Sequence, residues 1–354
     1  MERQKNQKTA DNPDIAQFSG VFGVFDRTQP LETGSAGFAD RNFAVPNNPD
    51  FSYQTASGTK GFTAAAVLSL AAEKKICLEE SVREILEKSG YARKSGSPEW
   101  LSGRVTVRSL LSHTSGVPDY FDEDLTDDFE DALRGTPTYH YEKPEDFFPL
   151  AEAVWKKQEK PYAQAGSFKY SNGGFVVLAA VVEAVSGESF RDYVTGHILE
   201  PAGMRRSGFF RLDEPAPAGI TRVTAYRKNG RSNIFAVPVI GGGDGGAYTN
   251  PSDMARFWTM LDPETNPGNP AARLVEEAWT PANEGDGNLY GLGFWISAEN
   301  PRLVFLEGFD PGVQFFSYYN RDTKRSLTIC LNDEAMNCDG VFRRYFAAVK
   351  QSGR

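Results

Sequence analysis

From Phe62 to Ala72 the chain reads Phe-Thr-Ala-Ala-Ala-Val-Leu-Ser-Leu-Ala-Ala, with no polar face. A helix that is apolar all round is a buried one, so this segment runs through the core of whatever forms around it. Just before it, Ser57-Gly58-Thr59-Lys60 sets a hydroxyl and an amine three residues apart. Positions i and i+3 share one face of a helix, which brings Ser57 Oγ and Lys60 Nζ within reach of each other. The positive end of the helix dipole favours a nucleophile carrying partial negative charge. An amine beside a serine at a buried helix start activates a weak nucleophile without histidine. A lone S-x-x-K also occurs by chance, with the serine as N-cap and the lysine as a surface charge. The rest of the chain decides between the two.

The length, 354 residues, suits one large domain or two ordinary ones with a sizeable core. A net charge of −9 and the lack of any basic run argue against nucleic-acid binding. Cys77, Cys330 and Cys338 show no metal-ligand spacing and form no disulfide framework. Cys77 closes the apolar helix and reads as a buried hydrophobe. Residues 1–14 are polar, and neither a hydrophobic signal region nor a spanning segment is visible, so the expected location is the cytoplasm.

In chain order, Phe18–Phe25 reads as a first strand and Ser35–Arg41 as its return. Pro46 to Pro49 is a loop leading to the Ser57 helix. Leu78–Leu86 is amphipathic, Ser89–Arg104 a surface loop, and Val105–Pro118 a capped helix ending in a turn at Gly116 and Pro118. Helices are expected at Phe147–Gln158, at Gly173–Val185 with Gly187 at C′, and at Phe190–Leu199. Beyond Ser207 the pattern turns to strands at Gly208–Leu212, Val223–Lys228 and Ile234–Ile240. A helix capped by Asn250, with Pro251 in its first turn, interrupts them. Four more strands follow, at Tyr290–Ser297, Leu303–Glu307, Gln314–Asn320 and Ser326–Leu331, then a closing helix at Val341–Val349. Strands at both ends of a helical middle predict a discontinuous α/β domain, residues 1–76 and 207–354, carrying a helical domain, residues 77–206.

Several groups compete to carry chemistry. No G-x-S-x-G occurs, so the nucleophile elbow of common esterases is missing. With only His113, His140 and His197, a Ser-His-Asp triad is hard to assemble, and His113 reads as structural. Gly241–Gly246 formally matches G-x-G-x-x-G, yet no βαβ unit surrounds it. Close backbone packing beside a cleft explains that run better. Eight acidic residues and no basic ones between Asp119 and Asp131 read as a solvated acidic face. Tyr170-Ser171-Asn172, just before the second apolar helix, is the remaining group.

Together with Ser57-x-x-Lys60, that tripeptide makes the chain resemble the serine β-lactamase and penicillin-binding-protein superfamily. The branch it looks most like holds the class C β-lactamases, related D,D-carboxypeptidases, esterases and D-aminopeptidases. Leu110–Val117 (Leu-Leu-Ser-His-Thr-Ser-Gly-Val), Glu200–Met204 and Gly245–Thr249 also match in order, so the resemblance runs from about Phe18 to Phe346. It implies an α+β fold in which an antiparallel sheet flanked by helices carries a helical insertion. It also implies that Ser57 forms an acyl-enzyme, with Lys60 keeping Ser57 deprotonatable. Tyr170 would share the proton as base and acid, its phenolate favoured by the neighbouring ammonium. Asn172 would bond a substrate amide or position Lys60, and the oxyanion would sit between the N–H groups of Ser57 and Phe309.

The third family motif, K-T-G or H-x-G, is altered. Anchored on Gly308 and Gly312, the matching triplet is Leu306-Glu307-Gly308. Leucine cannot hold a substrate carboxylate, and an ionised Glu307 facing the cleft would repel one. Two like charges about 4 Å apart cost roughly 4 kcal/mol at an effective dielectric near 20. The expected function is therefore a serine hydrolase acting on an ester or amide through a Ser57 acyl-enzyme. Two alternatives stand beside it: a D,D-carboxypeptidase or β-lactamase with an altered carboxylate pocket, and a catalytically inactive binding or regulatory protein. No cofactor and no metal are implied. The expected partner is a small-molecule or peptide-like substrate, with no nucleic acid and no membrane.

Overall fold

The computed structural model describes residues 18–91, 98–122, 132–133, 135–157, 165–285 and 287–350. Its first strand, β1 (Gly20–Asp26), turns through Arg27 and Thr28 into β2 (Gln29–Ala36). The return strand therefore begins six residues earlier than the sequence suggests. Phe38–Asp40 (β3) leaves the hairpin and pairs with Val45–Pro46 (β4) in a separate small sheet. A third two-stranded pair joins Tyr53–Gln54 (β5) to Tyr248–Thr249 (β6).

The main sheet is antiparallel throughout and takes its remaining strands from the C-terminal part. These are β7 (Asn283–Gly285), β8 (Asn288–Tyr290), β9 (Trp295–Ile296), β10 (Leu303–Asp310), β11 (Val313–Asn320) and β12 (Arg325–Leu331). Spatially the order is β2-β1-β12-β11-β10-β9-β8-β7, so the chain's first hairpin closes onto its last strand. This mixed α+β architecture, an antiparallel sheet with helices packed on it, agrees with the expected fold class.

Helix α1 (Lys60–Ala72) is buried from Lys60 to Leu68, as its apolar composition requires. A short amphipathic helix, α2 (Val82–Lys88), is N-capped by Ser81. Next come α3 (Val107–Leu111), α4 (Phe148–Trp155), the second buried helix α5 (Asn172–Ser186), apolar from Phe175 to Val182, and α6 (Phe190–Val194). Ser171 caps α5 by accepting from Gly174 N, and Gly187 ends it at φ +79°, the left-handed C′ position expected of it. Both apolar helices share one hydrophobic core, in which Phe62, Leu68, Phe175 and Leu178 are fully buried. Helix α7 (Pro251–Leu261) is capped by Asn250, whose Oδ1 accepts from Asp253 N at 2.9 Å. Helix α8 (Ala272–Ala278) follows, and α9 (Asp339–Lys350) covers the opposite face of the sheet through Phe22, Leu327 and Ile329.

Four expectations fail here. Tyr290–Ser297 is not one strand but the end of β8, a turn, and β9, which pairs back on β8. The segments 208–212, 223–228 and 234–240 are not strands. Their backbones make isolated bridges, Gly208 with Tyr248 and Tyr226 with Ser232 and Asp333, and scattered bonds such as Val223 N to Ser52 O and Val239 N to Thr138 O, but no continuous ladder. Cys77 is exposed, because α1 ends five residues earlier and the chain turns outward. Asp119 and Asp122 are buried rather than solvated; residues 123–131 of that acidic run lie outside the described residues. No single helix among the described residues is long and apolar enough to cross a membrane.

Candidate active site

The site forms where α1 begins, and the backbone there is unusual. Ala56–Thr59 is a 3-10 turn, and Ala56 sits at φ +43°, a left-handed conformation that costs a non-glycine residue about 1 kcal/mol or more. Gly58 N to Thr55 O at 2.8 Å, Thr55 N to Ala247 O at 2.9 Å and Gly246 N to Ala56 O at 3.3 Å hold it there. The result presents Ser57, half-exposed, at the mouth of a cleft, while Lys60 directly below is 2% exposed.

Lys60 Nζ makes three hydrogen bonds: to Ser57 Oγ at 2.9 Å, to Asn172 Oδ1 at 2.7 Å and to the carbonyl of Asp244 at 2.7 Å. Burial holds its pKa below the ordinary lysine range, opposed by the charges of Asp244, Asp119 and Asp310. The partner set suits the free base. Two partners, a carbonyl and an amide oxygen, can only accept, and they take the two N–H groups of a neutral amine. Only the hydroxyl of Ser57 can donate, so the lone pair is left facing it.

Tyr170 also reaches Ser57 through its hydroxyl. Its pKa moves up, contrary to the expected fall. Burial is the largest cause, and Asp119, Asp244 and Glu307 add to it against the bond to Ser57. The ammonium that was to lower it lies over the ring, 4.9 Å from the centroid. Tyr170 is thus a neutral phenol, able to relay a proton but not to act as a phenolate base.

Behind it, the buried His113 accepts from Ser171 N through Nδ1 at 3.1 Å and packs on the Tyr170 ring at 4.3 Å. Burial drives its pKa well down, so it stays neutral and supports the Tyr170-Ser171-Asn172 turn. The glycine run behaves as expected. A Cβ on Gly243 would come within 2.4 Å of Phe175 O, and one on Gly241 within 2.4 Å of Gly246 C. That close approach lets Gly243 O accept from Thr63 Oγ1 at 2.6 Å and Asp244 O from Lys60.

Strand β10 completes the site. Its neighbour β9 pairs only with Val304 and Phe305, so Leu306–Asp310 presents an edge toward Ser57. A Cβ on Gly308 would lie 2.6 Å from Ser57 N and 2.3 Å from Thr55 O, so only glycine lets the strand pass. Leu306 does not enter the cleft: it is 2% exposed, and its side chain fills the space beside Gly61 on α1. Glu307 points to the other face of the strand, where its charge bears on Tyr170, Tyr290 and Tyr318.

The cleft is lined by Ser57, Tyr170, Asn172, Phe309, Asp244 and Asp310, with an apolar wall that includes Phe210, Leu212 and Val239; neither Leu306 nor Glu307 contributes. Two carboxyl groups do line the cleft, those of Asp244 and Asp310. Burial raises the Asp244 pKa, with Tyr120, which donates to its Oδ2, opposing the rise. Burial, then the charge of Asp244, pushes Asp310 up to about 7. Among the described residues no lysine or arginine forms part of the cleft wall, with Lys60 lying beneath Ser57. Asp119, Asp244 and Asp310 were all missed in the sequence: the first sat in an acidic run, the second in a glycine run, and the third two residues past the altered triplet. Among the described residues no group of three or more His, Cys, Asp or Glu side chains could hold a metal ion.

This sheet, its two buried helices and a Ser-Lys pair at their junction define the serine β-lactamase and penicillin-binding-protein class. The chain belongs to the β-lactamase family, whose model matches residues 7–351. PbpX of Bacillus subtilis (strain 168), a relative named for penicillin binding, is 26% identical over 334 residues, covering 92% of this chain and 73% of the relative. Other curated relatives are covered over as little as 56% of their length. A penicillin-binding protein from Bacillus halodurans superposes with a TM-score of 0.79 at 31% identity, covering 94% of this chain and 97% of that one. A D-stereospecific amidohydrolase from Streptomyces sp. gives a TM-score of 0.71 at 25% identity, with 93% of both chains covered.

Proposed function

We propose that this chain is a serine hydrolase that cleaves an ester or amide through a Ser57 acyl-enzyme and prefers acyl groups that are neutral or positively charged. The observation that carries the reading is the 2.9 Å contact of Lys60 Nζ with Ser57 Oγ, aimed by two further bonds to acceptor oxygens. In the first step the Ser57 hydroxyl proton passes to the Lys60 lone pair as the Oγ–C bond forms. The carbonyl π pair moves onto oxygen, beside the N–H of Ser57 and the β10 edge at Phe309. Collapse re-forms the carbonyl and breaks the bond to the leaving group. That group takes the proton from Lys60 through the neutral hydroxyl of Tyr170. Water repeats the sequence in reverse roles on the acyl-enzyme, freeing the acid and restoring Ser57.

The charge preference rests on Asp244 and Asp310, the two carboxyl groups in the cleft wall, and should be strongest above about pH 7, where Asp310 is ionised. A carboxylate-bearing substrate meets like charge there, while an ammonium group is attracted. The Streptomyces amidohydrolase of similar fold supports an amide among the accepted bonds. The test is intact-mass spectrometry after exposure to a fluorophosphonate, to matched cationic and anionic activated esters, and to a penicillin. Adducts are expected from the first, faster acylation by the cationic ester than by the anionic one, and the slowest from the penicillin. An anionic ester that acylates faster than its cationic match overturns the charge preference.

A further inference from the structure

We propose that Asp119 is a positioning residue that fixes the amide of Asn172 and, through it, the direction of the Lys60 lone pair. The inference rests on Ser57 being the nucleophile and adds a component that the family motifs in this chain do not contain. Asn172 opens α5 with its side chain between two groups of opposite character. Its Oδ1 accepts from Lys60 Nζ at 2.7 Å, and its Nδ2 donates to Asp119 Oδ2 at 3.1 Å. The other carboxylate oxygen, Asp119 Oδ1, accepts from Gly173 N at 3.3 Å and Phe121 N at 3.2 Å. Asp119 is 5% exposed.

An amide can be turned end for end, and here both ends object. A flipped Asn172 would set Nδ2 against the hydrogens of Lys60 and Oδ1 against a carboxylate, which only accepts. Burial pushes the Asp119 carboxyl up to about 7, against its bonds from Asn172, Phe121 and Gly173, so it is ionised over the upper part of the pH range. There it locks the amide, and a locked Oδ1 holds one of the two N–H groups of neutral Lys60. Without the lock, that hydrogen competes for Ser57 and the lone pair swings away. Asp119 also sets the proton equilibrium of the amine, since its charge favours the ammonium form. The other ionisable groups facing the pair are Tyr170 and His113, both neutral, Tyr120, whose hydroxyl is held by Asp244, and the carboxyls of Asp244 and Asp310. Of these carboxyls, only Asp119 bonds Asn172.

The two effects separate experimentally. Removing the charge lets Lys60 lose its proton at lower pH, so the acid limb of the acylation profile moves down. Removing the acceptor lowers the plateau. Rates of fluorophosphonate labelling, read by intact mass from pH 5 to 10, are compared for wild type, Asp119→Asn and Asp119→Ala. Both variants should shift the acid limb downward, by roughly one pH unit. Asp119→Ala should lose about 10- to 100-fold on the plateau, and Asp119→Asn, which keeps one acceptor oxygen, distinctly less. An unmoved acid limb in either folded variant, or an Asp119→Ala plateau within twofold of wild type, overturns the proposal. If Asp119→Ala does not fold, the limb of Asp119→Asn alone decides. Labelling that persists in Ser57→Ala would instead defeat the assignment of the nucleophile.

Discussion

Lys60 lies over the face of Tyr170, with Nζ 4.9 Å from the ring centroid, while the Tyr170 hydroxyl bonds to Ser57. The amine lies against the ring face, and the pKa of the phenol moves up in spite of it. Three acids raise the cost of a phenolate further, so Tyr170 carries its proton through the working pH range. The phenol then serves the departure of the leaving group, and Lys60 the activation of the nucleophile.

Tyr170→Phe should therefore lower turnover by about 10²- to 10⁴-fold, the usual value of a positioned proton donor. The difference in ultraviolet titration between wild type and Tyr170→Phe should show no tyrosinate forming below pH 10. Ionisation of Tyr170 between pH 7 and 9 would restore the phenolate base and contradict this account.

Gly308 is where the strand meets the nucleophile. A methyl group there would sit 2.6 Å from Ser57 N and 2.3 Å from Thr55 O, both backbone atoms that cannot rotate aside. Gly308→Ala should cost about 10²- to 10³-fold in acylation rate, on the scale of a lost oxyanion donor. Circular dichroism at 25 °C checks that the variant is folded. Wild-type acylation in folded Gly308→Ala would mean that the developing oxyanion does not lie against β10.

Asp310 couples specificity to stability. Its folded pKa, about 7, lies above the carboxylate's ordinary value, so the native state holds more protons than the unfolded chain between roughly pH 4 and 7. The stability it contributes is present at low pH and is lost as pH rises through that window. Asp310→Asn should raise Tm relative to wild type at pH 8, with the difference shrinking toward pH 5. The same change should reduce the preference for cationic over anionic esters, whereas Glu307→Gln should leave it nearly unchanged. A variant less stable than wild type at pH 8, or an unaltered preference, would place the charge selectivity elsewhere.

Much of this architecture is legible because it rests on local chemistry. Ser57 and Lys60 meet at a three-residue spacing whether the turn is α or, as here, 3-10. The apolar run from Phe62 permits only a buried helix, and Gly187 marks a C-terminus by its conformation. The segments around Leu212, Val223 and Val239 misled because β-branched and aromatic residues pack equally well where single backbone bonds replace a ladder. Asp119 was hidden by its acidic neighbours: composition averages over a window, while burial is decided residue by residue. Glu307 looked like the selecting charge because it stands in the triplet that matches the third family motif; its charge bears on Tyr170, but it is not part of the cleft wall. Asp310, three residues on, lines the cleft instead.

The claim on which all of this depends is that Ser57 is the acylated residue. Wild type and Ser57→Ala are treated with a fluorophosphonate, and the modified peptide is located by mass spectrometry. A single adduct on the peptide containing Ser57, absent in Ser57→Ala, is the predicted result. An adduct on another serine, with Ser57→Ala hydrolysing an activated ester at the wild-type rate, would contradict it.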